Sequence, residues 1–388
     1  MSLLFCKKTI AMIMIVVLIM LSLSITTGAT KSTSESEMSF NCESVLLMDA
    51  ATGIVLYEKN ADKALPPASV TKIMTLLLIM EAIERGELSY TDTVTASAYA
   101  SSMGGSQIYL KEGEEMSVDD LLKSVIIASA NDAAVALAEH LCGSEQVFVD
   151  RMNERAQELG MTNTKFENTN GLDDTTVSHL TSARDIAIMS RELIKYEHIL
   201  KYSSTWMDTI RNGEFGLTNT NRLIRFFNGA TGLKTGSTDK ARFCISATAK
   251  RGNMHLICVV MGAPTSTERN NIASTLLNWG FANYELYENK QEDLNNIKVT
   301  SGVEDYCSIV SEPFAKIVKK GEKNAVEKRY VISEKISAPI EQNQCVGCIE
   351  YYLNGKLIGT SDIISTITVE KISFSTIFVR ILSKFLIK

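Results

Sequence analysis

The sequence predicts an α+β protein, with one antiparallel sheet covered by helices, then a small all-β domain and a terminal amphipathic helix. Three observations lead there. Before Tyr287, β-prone runs stand on both sides of a helix-rich middle. After Tyr287 the apolar runs become short and alternating, which is the period of half-buried strands. At the end, Phe374, Ile377, Phe378, Ile381, Leu382 and Phe385 recur at helical spacing, with Arg380, Lys384 and Lys388 on the other side.

The elements follow in chain order. Lys7 and Lys8 precede an apolar run, Ile10 to Leu21, and Thr27 and Ala29 are small residues suited to cleavage. Residues 1–29 are therefore expected to be a secretory signal peptide, the alternative being a retained anchor. Ser44 to Met48 and Ile54 to Tyr57 read as strands joined through Asp49-Ala-Ala-Thr-Gly53. From Val70 to Ala82 the chain is apolar almost all round, so it should be a helix buried at the centre of the domain, with Gly86 as its left-handed stop. Thr91 to Ser106 is expected to be mostly loop. Ser117 opens a capped helix with Leu121, Leu122, Val125 and Ile126 inward. Asp132–Leu141, Glu145–Leu159 and Thr181–Ile194 read as helices. Gly232–Gly236, Phe243–Ala249 and Met254–Met261 read as strands, and Glu268–Phe281 as a closing helix. In the β-rich part, Asn354-Gly355 is the strongest hairpin signal in the chain. The expected division is 1–29 signal, 30–285 main domain, 286–370 β domain and 371–388 tail helix. The tail's basic polar face and bulky apolar face suit a helix lying in a membrane surface, the alternative being a helix packed on the β domain.

Composition narrows function. The net charge is −6 and basic residues are dispersed until the tail, which argues against nucleic acid as a partner. There is no G-x-x-x-x-G-K loop for phosphate, and His140, His179, His198 and His255 form no metal-spaced cluster. Removal of Cys6 with the signal leaves an odd number of cysteines, so no complete disulfide framework exists in one chain. Cys345-Val-Gly-Cys348 lacks a second ligand pair for zinc and reads as free thiols or one local disulfide. Cys244 and Cys258 are expected nearly opposite each other on a hairpin, as packed thiols or a cross-strand disulfide.

The chemistry-bearing residues lie in three short motifs. Ser69 and Lys72 sit three apart at the start of the buried helix, on one face, so the amine reaches the hydroxyl. Burial and the positive helix end disfavour the ammonium, and a neutral lysine can act as base on a serine. Alone, S-x-x-K also fits a capping serine and a snorkelling lysine. Ser129-Ala130-Asn131 falls where one helix ends and the next begins, so its side chains can enter a cleft; capping explains it equally well. Lys234-Thr235-Gly236 opens the strand region. Lys234 would reinforce a neutral Lys72, Thr235 can bind a carboxylate, and Gly236 lets a ligand backbone approach an edge strand; an exposed strand end is the plain alternative.

In this order and separation, the three motifs resemble those of penicillin-binding proteins and serine β-lactamases. Further stretches are similar to the D-alanyl-D-alanine carboxypeptidase family of low-molecular-mass penicillin-binding proteins: Leu47-Met48-Asp49 with Thr52-Gly53, Ala64–Thr75, Gly104-Gly105-Ser106, Gly171-Leu172-Asp173, Thr181–Asp185, Asn219-Thr220-Asn221 and Thr231–Gly236. The likeness covers roughly Phe40 to Asn283, and more loosely the β domain and tail. It implies a penicillin-binding, β-lactamase-like transpeptidase fold and a cofactor-free serine peptidase outside the cell membrane. Its substrate would be peptidoglycan stem peptides ending in D-Ala-D-Ala, and β-lactams would acylate the same serine. By that resemblance Ser69 is the nucleophile and Lys72 its base. Ser129 and Asn131 complete proton relay and positioning. Lys234, Thr235 and Ser237 hold the terminal carboxylate beside Gly236, and the N–H groups of Ser69 and Ser237 form the oxyanion hole.

Two departures from the family pattern are Ser237-Thr238 after Lys-Thr-Gly, where His-Thr is usual, and Arg242 in place of an expected glycine. The alternatives are a β-lactamase, for which Glu167 would have to activate the deacylating water, an endopeptidase or transpeptidase on the same residues, and a sensor that acylates without turning over.

Overall fold

The computed structural model describes residues 38–174 and 176–386; the expected signal segment lies outside them. From Asn41 onward the chain forms one compact unit. It begins with β1 (Ser44–Asp49) and β2 (Val55–Lys59), paired antiparallel. A 3-10 turn at Ala68–Thr71 then leads into α1 (Lys72–Glu84). The helix proper thus starts at Lys72, and Ser69 lies in the tighter turn ahead of it. Ile73, Met74, Leu76, Leu77 and Ile79 are buried on every side of α1, as a helix apolar almost all round requires. Each such side chain contributes roughly 1.5–3 kcal/mol on burial.

The helical middle comprises α2 (Val118–Lys123), α3 (Asn131–Cys142), α4 (Glu145–Glu158) and α5 (Ala183–Leu193). Ser117, Ser144 and Ser182 each accept a hydrogen bond from an N–H in the first turn of α2, α4 and α5, so polar caps set these starts. Next come β3 (Ala230–Thr238), β4 (Arg242–Arg251), β5 (Met254–Ala263) and α6 (Ser266–Asn283). The five-stranded sheet runs β2-β1-β5-β4-β3, antiparallel throughout, with β3 at an edge. One face meets α6, where Gly280 lies against Leu47 and Leu256. The other meets α5, where Ser190 and Ser246 share a hydrogen bond. Cover on both faces explains why β1 is buried at every position and does not alternate.

The β-rich part contains β6 (Tyr284–Asn289), β7 (Ile309–Ser311), β8 (Phe314–Lys319), β9 (Val326–Ile332), β10 (Cys345–Leu353) and β11 (Lys356–Ser365). β6 pairs with β8, and a four-stranded sheet runs β7-β11-β10-β9. It has its own core around Tyr287, Val299, Ile349, Tyr351 and Ile363. Asn354 and Gly355 both have positive φ (51° and 75°), the turn expected between β10 and β11. The chain ends in α7 (Phe374–Leu386), whose Phe374 and Phe378 are 83% and 58% exposed. No helix among the described residues is long and apolar enough to cross a membrane.

The structure refines one sequence expectation, overturns another and adds a hairpin. The stretch 91–106 is mostly loop, as expected, but holds two short elements, since Thr93–Thr95 pairs with Glu115–Ser117 and Ala98–Ser101 is a short helix capped by Ser97. A strand whose partner lies further along the chain leaves no local hydrophobic signature. Cys244 and Cys258 are not opposite each other. Cys244 pairs with Gly236 and Cys258 with Ala247, since the β4–β5 turn sets the register and a bulge shifts it between Phe243 and Ile245. All seven described cysteines, including Cys345 and Cys348, are free thiols. Finally, Met207–Ile210 and Phe215–Thr218 form a hairpin that the sequence reading missed.

Candidate active site

Three elements bring the motif residues together: the turn before α1, the junction between α2 and α3, and the edge strand β3. At the junction, the end of α2 widens into a π turn, Ser124–Ala128. This leaves Ser129 left-handed at φ 64°, a conformation that costs energy and is concentrated at functional sites. Asn131 begins α3. Its backbone N–H donates to Ser106 O (2.7 Å) and its Nδ2 to Gly104 O (2.7 Å). The buried carboxylate of Asp132 accepts the N–H groups of Ile108 and Leu110, tying the 104–110 loop to α3.

Lys72 is fully buried. Its Nζ lies 2.9 Å from Ser69 Oγ, 2.5 Å from Asn131 Oδ1 and 2.7 Å from the carbonyl oxygen of Asn170. Burial lowers its pKa well below the usual lysine range and the nearby Lys234 lowers it further, against a smaller opposing pull from Asp132. A neutral amine has two N–H groups and one lone pair. The N–H groups suit Asn131 and Asn170, leaving the lone pair for the Ser69 hydroxyl proton. Such an arrangement can activate Ser69 as a nucleophile.

Lys234 is also buried, and its Nζ donates to Ser129 Oγ (2.8 Å) and Thr235 O (2.9 Å). Its pKa falls to about 7, through burial first and Arg269 second. Thr235 Oγ1 donates to Thr220 Oγ1 (2.7 Å). A Cβ on Gly236 would stand 2.9 Å from both Pro67 O and Ser69 N, so only glycine lets the nucleophile turn come this close to β3. The cleft between these parts has a volume of about 280 Å³, with Ser69, Ser106, Ser129, Thr220, Thr235 and Ser237 in its wall. A larger cavity of about 650 Å³, at Arg251, Tyr284 and Lys320, is lined by no Ser, Thr or Cys.

All eight expected residues (Ser69, Lys72, Ser129, Asn131, Lys234, Thr235, Gly236 and Ser237) thus meet in one place. Glu167, the candidate water activator of the β-lactamase alternative, is turned elsewhere. Its carboxylate accepts the N–H groups of Val177 and Ser178 and the Ser178 hydroxyl. Sequence reasoning missed Asn170 and Arg269. Asn170 contributes a backbone carbonyl, which side-chain motifs do not reveal. Arg269 is 5% exposed on the wall of the cleft, where its Nη1 donates to Cys244 O. A cation near the N-terminus of a helix, where the helix dipole disfavours it, was the available signal.

Fold and site define a serine acyl-transfer enzyme of the penicillin-binding type. Residues 30–265 match the D-alanyl-D-alanine carboxypeptidase family, and residues 281–371 match the C-terminal domain of penicillin-binding protein 5. A D-alanyl-D-alanine carboxypeptidase of Bacillus subtilis, DacF, is 44% identical over 89% of this chain and 90% of its own. The crystal structure of penicillin-binding protein 5 from Haemophilus influenzae superposes with a TM-score of 0.75 at 32% identity, covering 86% of this chain and 99% of that one. Penicillin-binding protein D2 from Listeria monocytogenes, solved with ampicillin bound, gives 0.58 at 33% identity over 63% of this chain and 99% of its own. The chain belongs to the D-alanyl-D-alanine carboxypeptidase family of low-molecular-mass penicillin-binding proteins.

Proposed function

We propose that this protein removes the terminal D-alanine from peptidoglycan stem peptides through an acyl-enzyme on Ser69. The observation that carries the reading is the buried Lys72 amine 2.9 Å from Ser69 Oγ, its pKa lowered by desolvation and by Lys234. Ser69 Oγ attacks the carbonyl between the two D-alanines as Lys72 takes its proton, and the N–H groups of Ser69 and Ser237 receive the oxyanion. Removing one such donor typically costs about 10²–10³ in rate. Ser129, bridged to Lys234, passes a proton to the departing D-alanine nitrogen, while Asn131 holds Lys72 in place. Lys234, Thr235 and Ser237 hold the terminal carboxylate beside Gly236, along the free edge of β3. Water then cleaves the ester and releases the shortened peptide. A β-lactam acylates Ser69 in the same way. The engaged carboxylate of Glu167 speaks against the β-lactamase alternative.

The reading extends to the whole chain. The working division is 30–285 catalytic, 286–370 β-rich and 371–388 anchoring. The exposed apolar residues of α7, Phe374, Phe378 and Val379 among them, suit immersion in a membrane surface, with the catalytic part outside the cell membrane where peptidoglycan lies.

The test uses protein lacking residues 1–29 with diacetyl-Lys-D-Ala-D-Ala and an assay for free D-alanine. Repeated release that Ser69→Ala abolishes supports the carboxypeptidase. Stable labelling by a fluorescent penicillin without release would favour a non-turning-over sensor or a cross-linked substrate. The absence of both release and labelling would overturn the assignment.

A further inference from the structure

A chain of hydrogen bonds outside the motif residues ends on the nucleophile turn. His179 is 5% exposed, and its two ring nitrogens have distinct partners. The backbone N–H of Glu167 donates to Nδ1 (2.9 Å), so in the neutral ring the proton is on Nε2. Nε2 lies 2.7 Å from Thr71 Oγ1, to which it therefore donates. Thr71 Oγ1 in turn donates to the carbonyl oxygen of Ala68 (2.8 Å). Burial keeps the ring neutral, lowering its pKa to about 4 against the pull of Glu167 and Asp173.

The end of this chain has a geometric consequence. The Ala68 carbonyl and the Ser69 N–H belong to one planar peptide unit and point in opposite directions across it. Whatever holds the carbonyl aims the N–H. Ala68 is left-handed at φ 49°, so the unit does not adopt this orientation by preference. The Ser69 nitrogen faces β3, close enough that a Cβ on Gly236 would come within 2.9 Å of it.

We propose that His179 and Thr71 are positioning residues for acylation, a relay from the 167–179 loop that aims the Ser69 N–H into the oxyanion hole. It rests on Ser69 being the nucleophile. The relay touches neither the carboxylate anchor nor Lys72 Nζ, so its loss should slow acylation and leave substrate affinity nearly unchanged.

The test uses the full chain with Thr71→Val, Thr71→Ser, His179→Leu and His179→Gln. Acylation is followed with a fluorescent penicillin, and kcat and KM with the tripeptide. Thr71→Val should acylate at least about tenfold more slowly, the worth of one such interaction in a transition state. KM should stay within about threefold, since uniform binding is untouched. Thr71→Ser, which keeps the hydroxyl, should acylate near the parent rate. If Thr71→Val does not fold, the same contrast is read between His179→Leu and His179→Gln, whose amide can still donate to Thr71. Parent-like rates in the folded apolar variants would overturn the relay, as would a Thr71→Ser rate as low as that of Thr71→Val. Parent protein that takes no label at all would overturn the Ser69 assignment and the relay with it.

Discussion

Asn131 Oδ1 stands 2.5 Å from Lys72 Nζ, and an amide there accepts a hydrogen bond without adding charge. Its neutrality matters because Lys72 can act as a base only while unprotonated. Its pKa is lowered by burial and then by Lys234, so activity should be lost only as pH falls through that lowered value. Asn131→Asp places a carboxylate against the amine and raises the pKa. The acid limb of kcat/KM for the tripeptide should move up by about one unit or more. An unmoved limb would mean that Lys72 is not the titrating base.

Lys234 titrates in the opposite functional sense. It must be charged to hold a carboxylate, and burial followed by Arg269 brings its pKa to about 7. In the free enzyme kcat/KM should therefore fall as pH rises past that value, by roughly tenfold per unit. Lys234→Arg keeps the charge at all accessible pH and should shift the alkaline limb upward while lowering the maximum, because a guanidinium cannot reproduce the ammonium's bonds. A pH–rate profile of the two proteins decides this.

Gly171 has φ +83°, and a Cβ there would lie 1.9 Å from the carbonyl oxygen of Ala68. Gly171→Ala should combine left-handed strain with a collision against the nucleophile turn, costing roughly 2–5 kcal/mol. Urea unfolding reads the loss of stability, and penicillin labelling should be slowed in whatever fraction remains folded.

Arg242 is the left-handed residue closing the β3–β4 turn, at φ 55°, opposite Thr238. The family pattern's glycine at this place has a physical reason, since only glycine adopts that conformation without strain. Arg242→Gly should be neutral to stabilising, by up to about 1 kcal/mol once the extra freedom of glycine in the unfolded chain is counted. Acylation of Ser69 should not change.

Deleting residues 374–388 should abolish binding to vesicles that contain anionic lipid and leave the acylation rate intact. Binding by the full chain should weaken with salt, because the Arg380 side of α7 adds electrostatic attraction. The deletion stops short of Val369, which is buried and pairs with Ile340. Equal sedimentation of the two proteins with vesicles would place the tail on protein rather than lipid.

The sequence by itself determined the parts whose causes are local. The mostly apolar stretch of α1 forced a buried helix, with Lys72 at its start and Ser69 in the turn that leads into it. The capping Ser117 and Asn354-Gly355 set boundaries through their own side chains and φ preferences. The three motifs were legible because each needs its residues at fixed short spacing. What only the tertiary structure decided depends on groups far apart in sequence or on the backbone. The pairing of 93–95 with 115–117 and the register that separates Cys244 from Cys258 are of this kind. So are the Asn170 carbonyl on Lys72, Arg269 in the cleft wall, and the His179–Thr71–Ala68 chain. A backbone carbonyl has no residue type to announce it. A lone histidine reads the same whether it fills a core or aims a peptide bond, until folding fixes which two groups its nitrogens meet.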